Sequence, residues 1–273
     1  MKSKEQEKLL DALKFYHEIC CENNLRYYII GGTFLGAIRH GGFIPWDDDI
    51  DVGMPRTDYR KFQKIMEHPI GNYILETPQS KARDYIYNIS KLYDIRTTAV
   101  ELNKFKTKRG IYLDVLPLDG IGNTRKEVRK NFAPIYWLNM FTATRTSVPR
   151  KGRKWYKNIA IYLSGLIPER AVNTKKLIVR LDNMCEQLDF DECKYGGVLL
   201  GGYGKKDILR RELFGDPKEY RFEDIMVYGP EKADEYLTHI YSEWRKYPPI
   251  EKRNSGHDFI YIDLNHSYLE NRK

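Results

Sequence analysis

Cysteine and histidine are scarce in this chain, with 4 and 6 among 273 residues. Cys20 and Cys21 are adjacent, and Cys185 and Cys193 lack zinc-ligand spacing, so neither a disulfide framework nor a structural zinc site is expected. Reduced thiols and a cytoplasmic chain are the expectation. Long apolar runs are missing as well. The nearest, Ile159 to Ile167, is about half of the roughly 20 residues a membrane span needs. Met1 to Lys8 is charged and leads into an amphipathic segment rather than an apolar leader, so no signal peptide is expected. There is no internal repeat, no low-complexity tract and no Gly-x-x-x-x-Gly-Lys-Ser/Thr loop. Tyr195 to Lys206 is glycine-rich without that spacing, and reads as a buried turn where backbones approach closely. The length is enough for one large or two modest domains with their own core.

Against that background, Pro45-Trp46-Asp47-Asp48-Asp49-Ile50-Asp51-Val52 stands out, because four carboxylates fall within five positions beside strand-forming residues. If Ile50 and Val52 face the core, strand alternation sets Asp49 and Asp51, with Asp47, on the opposite face. Carboxylates two apart on a strand are separated by about 6.5–7 Å and raise each other's pKa unless a cation neutralises them. Two of them suffice to hold Mg²⁺ against a nucleotide's phosphates. A solvated acidic turn is the alternative. A calcium loop is excluded in practice, since it needs Gly where Val52 stands and Glu where Asp58 stands. Upstream, Leu25 to Ile30 reads as a short strand running into Gly31-Gly32-Thr33 and a helical segment, Phe34 to Arg39. With Thr33 as its cap, that helix start has free N–H groups able to hold a phosphate. Such a turn beside an Asp-x-Asp strand is the arrangement expected of a nucleotidyltransferase fold.

The segment Gly31-Gly32-Thr33-Phe34-Leu35-Gly36-Ala37-Ile38-Arg39-His40, followed by Gly42 to Val52, Met54-Pro55-Arg56 and Asp58-Tyr59, resembles the signature of the LicD family. Ser90 to Thr98 and Gly110 to Gly120 are similar to that family's second and third conserved strands. Tyr228-Gly229-Pro230, Tyr236-Leu237, Tyr241 and Pro248 to Arg253 are similar to its closing block, so the resemblance covers most of the chain in order. It departs from the pattern near the end. The family tends to carry a His directly after the basic segment, and here Asn254-Ser255-Gly256 intervene before His257.

In the third matching strand, Ile111, Leu113 and Val115 alternate with Tyr112, Asp114 and Leu116, which points Asp114 away from the aliphatic face. An acid in so apolar a segment must meet a metal or a basic side chain. Asp119, followed by Gly120, reads as a turn residue. Thr57 is a plausible cap for a helix to Glu67.

Charge is also uneven. Residues 125 to 180 hold fourteen basic and two acidic side chains, a net +12 against +8 for the whole chain. The remainder is therefore about −4, and the basic character belongs to a module. Aromatic and aliphatic residues interleave with its Lys and Arg, the pattern of a helix lying on an anionic membrane surface, of a groove for a polyanionic acceptor, or of a helical hairpin packed on the core with a solvated basic face. Nucleic acid ranks below these, because the resemblance favours a membrane-linked glycan.

Together these observations predict an α/β (α+β) fold, a nucleotidyltransferase-like mixed sheet with flanking helices and a basic helical insertion. The expected divisions are a catalytic core at 1–120, the insertion at 121–190 and a C-terminal part completing the core at 191–273. The resemblance implies a phosphotransferase that moves phosphocholine, or a related phospho-alcohol, from CDP-choline or a similar CDP-alcohol to a hydroxyl of a cell-surface glycan precursor, such as teichoic acid or lipopolysaccharide, on a lipid carrier. Asp49, Asp51 and Asp114 are the expected catalytic and metal-binding carboxylates, with Mg²⁺ as the ion and Mn²⁺ as its substitute. Gly31, Gly32, Thr33, Arg39, Lys91, Arg96, Arg253 and His257 are the candidates for donor and phosphate binding. Trp46 is a candidate wall for a quaternary ammonium group. The alternatives are a nucleotidyltransferase placing NMP on a small molecule, protein or RNA, and a non-catalytic glycan- or membrane-binding protein. A peripheral position on the inner face of the cell membrane is the expected variant of a cytoplasmic location.

Overall fold

The computed structural model describes residues 2–82, 84–253 and 259–270. Helix α1 (Lys4–Glu22) opens with a capping box in which Ser3 and Gln6 exchange side-chain-to-backbone bonds, each 3.1 Å. Its Leu9, Leu13, Tyr16 and Cys20 recur at three- and four-residue spacing and are all buried, so one stripe docks on the sheet. The chain then runs through β1 (Tyr28–Ile29), α2 (Gly31–His40), β2 (Asp51–Pro55), α3 (Arg56–Ile65), β3 (Tyr73–Glu76), β4 (Ser90–Asp94), β5 (Thr98–Glu101), β6 (Lys108–Arg109) and β7 (Tyr112–Gly122). Three helices follow, α4 (Arg125–Thr146), α5 (Trp155–Gly165) and α6 (Thr174–Cys185). The remainder comprises β8 (Tyr195–Gly197), β9 (Ile208–Arg210), the hairpin β10 (Lys218–Phe222) and β11 (Ile225–Gly229), α7 (Ala233–Tyr241) and β12 (Phe259–Asp263).

The main sheet has the order β1-β2-β7-β4-β3, with β8 and β9 continuing from the far end of β7. Only β2 and β7 are parallel; the other pairings in this sheet are antiparallel. It is the mixed α/β architecture that the sequence predicts. Strand β7 is buried along its whole length, which explains why it reads as a near-continuous apolar run. The three helices between residues 125 and 185 pack through α4, which touches β7, α5 and α6.

Several local expectations are corrected. The first strand is two residues long rather than six, and β2 begins at Asp51, so Asp47 and Asp49 precede the strand in the loop. Alternation along the strand therefore does not explain their position. Thr33 does not cap α2. The helix starts at Gly31 with Ile30 as its cap residue, and Thr33 Oγ1 instead accepts the Asp51 N–H at 2.9 Å. Thr57 is not a cap either, since α3 begins at Arg56 after Pro55. Asp119 is no turn residue. It lies inside β7 with no exposure, and both its oxygens accept bonds from Arg56 at 2.7 and 2.6 Å. The glycine-rich stretch is the close approach that was expected, because a Cβ on Gly196 would stand 2.5 Å from the Asp119 carbonyl oxygen.

Candidate active site

Asp51 opens β2 and Asp114 lies near the start of β7, and the parallel register sets them side by side as Cα partners. The next strand across carries Lys91 opposite Asp114, and its ammonium donates to Asp114 Oδ1 at 2.7 Å. Of the two partners foreseen for Asp114, a metal or a basic side chain, the chain itself provides the second. Lys91 is buried, with its ammonium 3.4 Å from the centre of the Tyr112 ring and 4.6 Å from that of Tyr87.

Asp51 is half-buried and its pKa is pushed well above the ordinary carboxylate range, first by desolvation and then by the charges of Asp49, Asp114 and Asp47. Lys91 opposes that shift without cancelling it. The Asp114 carboxyl is also raised, again chiefly by burial, with Lys91 pulling it back down.

Helix α2 starts against these acids. Gly31 has φ of +54°, a conformation open to glycine, and a Cβ there would come within 3.3 Å of Asp51 Oδ2. On Gly32 it would stand 2.9 Å from Asp47 Oδ2. The two glycines thus let carboxylates press on the positive end of a helix, whose first N–H groups have no partner within the helix. The Thr33 bond to the Asp51 N–H ties the same helix to the strand.

Asp47, Asp49 and Asp51 line a cavity of about 470 Å³ together with Gly32, Arg39, Trp46, Tyr203, Tyr241, Trp244 and Lys246. Tyr203 and Tyr241 touch through their hydroxyls at 3.0 Å. Arg39 donates to the Trp244 carbonyl at 3.0 Å and lies 4.7 Å from the centre of the Tyr247 ring. Arg253 takes up the neighbouring position, 5.1 Å from Trp46 and 5.6 Å from Tyr247. One face of Trp46 therefore already carries a cation. Tyr203 also lines a second cavity, of about 1060 Å³, between α4 and the glycine-rich loop. That cavity is faced by Phe132, Tyr136, Trp137 and Leu199, with Arg125, Arg129 and Lys205 among its residues.

The structure thus brings Gly31, Gly32, Thr33, Arg39, Asp49, Asp51, Asp114, Lys91 and Arg253 into one region. Arg96 stands apart: it lies beyond the end of β4 opposite to Lys91 and chelates Asp94 through Nε and Nη2 at 2.8 and 2.7 Å. His257 lies outside the described residues. Sequence reasoning missed Tyr203, Tyr241, Trp244 and Lys246. The glycine-rich stretch and the segment after Pro230 were visible, but nothing in either shows that they close over the acids.

Among the described residues no three His, Cys, Asp or Glu side chains form a preassembled metal cage. The donor set nevertheless suits one kind of ion. Mg²⁺ is commonly bound by one or two carboxylates, with water and substrate phosphate oxygens completing its octahedron. A phosphate approaching Gly32 would meet Asp47, which lies against it, and a divalent cation held by these acids would offset that repulsion.

Comparison with known proteins points the same way as the geometry. The chain is 29% identical over 255 residues to a lipopolysaccharide cholinephosphotransferase LicD of Haemophilus influenzae, a match covering 91% of this chain and 92% of that one. An uncharacterized protein of Rickettsia prowazekii is 34% identical over 113 residues, 41% of this chain and 39% of its own. Human ribitol 5-phosphate transferase FKRP is 38% identical over 52 residues, 19% of this chain and 10% of its own. No helix among the described residues is long and apolar enough to cross a membrane. Residues 24–151 match the nucleotidyltransferase domain of the LicD/FKTN/FKRP family.

Proposed function

We propose that the protein transfers phosphocholine, or a closely related phospho-alcohol, from a CDP-alcohol to a hydroxyl of a cell-surface glycan precursor such as lipopolysaccharide. The observation that carries this reading is the convergence of Asp47, Asp49 and Asp51 on the glycine start of α2, in a cavity of about 470 Å³. The similarity over nine-tenths of the chain to a lipopolysaccharide cholinephosphotransferase supports the choice of group and acceptor.

In this proposal Asp49 and Asp51 hold Mg²⁺, with Asp114 completing the acidic set from the neighbouring strand. When bound, the ion neutralises the phosphates and polarises the phosphorus towards attack. The remaining roles fall to the chain. The first N–H groups of α2 bind the diphosphate, and Arg39 and Arg253 offset the charge on the phosphoryl group in flight. Asp114 takes the proton of the acceptor hydroxyl, a role its raised pKa favours over that of an ordinary carboxylate. The hydroxyl oxygen forms a bond to the distal phosphorus, the bond to the bridging oxygen breaks, and CMP leaves. Tyr203, common to both cavities, stands between donor and acceptor, and the larger cavity behind it receives the acceptor. Its aromatic lining suits sugar faces, and Arg125, Arg129 and Lys205 suit a phosphate on the acceptor.

The test is calorimetric titration with CDP-choline, CDP-ethanolamine, CDP-glycerol and CTP, each with and without Mg²⁺, followed by product analysis with a lipopolysaccharide acceptor. Mg²⁺-dependent binding that prefers a CDP-alcohol, with CMP released, supports the reading. Preference for CTP with pyrophosphate released moves the protein to NMP transfer, and failure to bind any Mg²⁺-nucleotide leaves a glycan- or membrane-binding protein.

A further inference from the structure

Helix α5 is built inside out. Its large apolar side chains, Trp155, Tyr156, Ile159, Tyr162 and Leu163, with Leu166 at its C-cap, are all exposed, Trp155 to 75%, Tyr162 to 67% and Leu166 to 64%. At 100° per residue these six fall within about 120° of arc, so they form one stripe. The residues it buries, Ile161 and Ser164, lie on the other side. In a soluble helix the apolar stripe faces the core, and here it faces out.

The face is held in that orientation from both ends. Arg145 of α4, with no exposure, donates to the carbonyls of Ser164, Ile167 and Val172 at 3.0, 3.1 and 2.9 Å and pairs with Glu169 at 2.7 Å. Ser164 Oγ bonds back to the Thr144 carbonyl at 3.0 Å. At the other end, the Asn158 side chain exchanges two bonds with the Arg150 backbone, at 3.2 and 3.0 Å. With the Thr174 hydroxyl at 3.0 Å as its fifth acceptor, this buried guanidinium fixes a helix whose outward face has no partner among the described residues.

Charge identifies what covers it. Five basic side chains, Arg150, Lys151, Arg153, Lys154 and Lys157, lead into and begin the helix, and no acidic residue occurs between Glu127 and Glu169. Aromatic residues at the start, aliphatic ones along the stripe and a run of Lys and Arg beside them are the chemistry of a helix lying in the interface of an anionic bilayer, its apolar face sunk about 5–10 Å. A second copy of this chain would bring the same positive charge against itself.

We propose that α5 is a membrane-docking helix that seats the protein on an anionic lipid surface through Trp155, Ile159, Tyr162, Leu163 and Leu166, with the exposed Lys151 and Lys154 at its start on the headgroups. The surface is independent of the reaction: docking needs neither donor nor acceptor, so the test contains none.

The full-length protein is floated with vesicles of phosphatidylcholine alone and with one-third phosphatidylglycerol, beside the triple variant Tyr162→Ser, Leu163→Gln, Leu166→Gln. These three side chains are exposed, so circular dichroism and melting should match the parent. The expected result is binding to the anionic vesicles, weakened severalfold by 0.5 M salt, at least tenfold weaker in the triple variant, and weaker on pure phosphatidylcholine. Equal flotation of parent and variant overturns the proposal, as does no flotation of the parent. So does a parent that sediments as a dimer and a variant that is monomeric, because the face then belongs to a second copy.

Discussion

Asp51→Asn exchanges one carboxylate oxygen for an amide at nearly constant volume, where the charges of Asp49, Asp114 and Asp47 press on the same group. The carboxyl is raised in the folded state, so between its unfolded value near 4 and its higher folded value the native protein binds more protons than the unfolded chain. Stability contributed by this group is therefore present at low pH and lost as pH rises through that window, at no more than about 1.4 kcal/mol per pH unit. The amide removes the dependence. In metal-free protein at pH 8 the variant should be the more stable, with the higher Tm. At pH 5 the two should converge. Mg²⁺ should then reverse the order: at about a hundred times its Kd it adds roughly 2.7 kcal/mol to the parent, and little to a variant that has lost a ligand. Phosphoryl transfer should fall by at least about 10²-fold. Thermal melts at pH 5 and 8, with and without Mg²⁺, and CMP release provide the readings. A variant less stable than the parent at pH 8 without metal, or one that Mg²⁺ stabilises equally, refutes the assignment.

Arg56 is buried and joins Asp119 to Asp182, bonding Asp182 Oδ1 at 2.6 Å. Arg56→Met should cost about 3–5 kcal/mol in urea unfolding, because two buried carboxylates lose their common counter-ion. Asp119 stays high, at about 6, despite that partner because desolvation outweighs it, while Asp182, which also pairs with Arg60, is lowered. Thr33→Val removes the acceptor of the Asp51 N–H at similar volume, and should cost about 1 kcal/mol and lower kcat more than donor affinity. Unchanged kinetics would show that α2 does not position Asp51. Asp207, whose pKa is pushed up to about 6 by burial, accepts the Tyr203 N–H at 2.8 Å. Its raised value means stability falls as pH climbs from about 4 to 6, by up to about 3 kcal/mol; Asp207→Asn keeps the acceptor and should flatten that fall, and an unchanged pH profile would place the titration elsewhere.

What the sequence disclosed about this site and what it withheld divide along a physical line. The acids and the glycine pair are set by neighbours close in sequence, and the pattern of charge among apolar residues was enough to single them out. Asp119 was misread because a carboxylate before a glycine looks like a turn, and only a partner 63 residues away, Arg56, makes it a strand residue. Thr33 was misread for a related reason. A hydroxyl at a helix start has two ways to be satisfied, by its own helix or by a passing strand, and the choice depends on β2 arriving 18 residues later. Tyr203 and Tyr241 illustrate the limit most clearly: 38 residues apart, one in a glycine-rich loop and one at a helix end, they meet at 3.0 Å over the acids. Tyrosine occurs 21 times in this chain, so residue type carries no information about which two will meet. The exposed stripe on α5 shows the opposite case. Periodicity announces an amphipathic helix, but whether its apolar side faces the core or the solvent is decided by Arg145, and a single buried cation leaves no periodic trace.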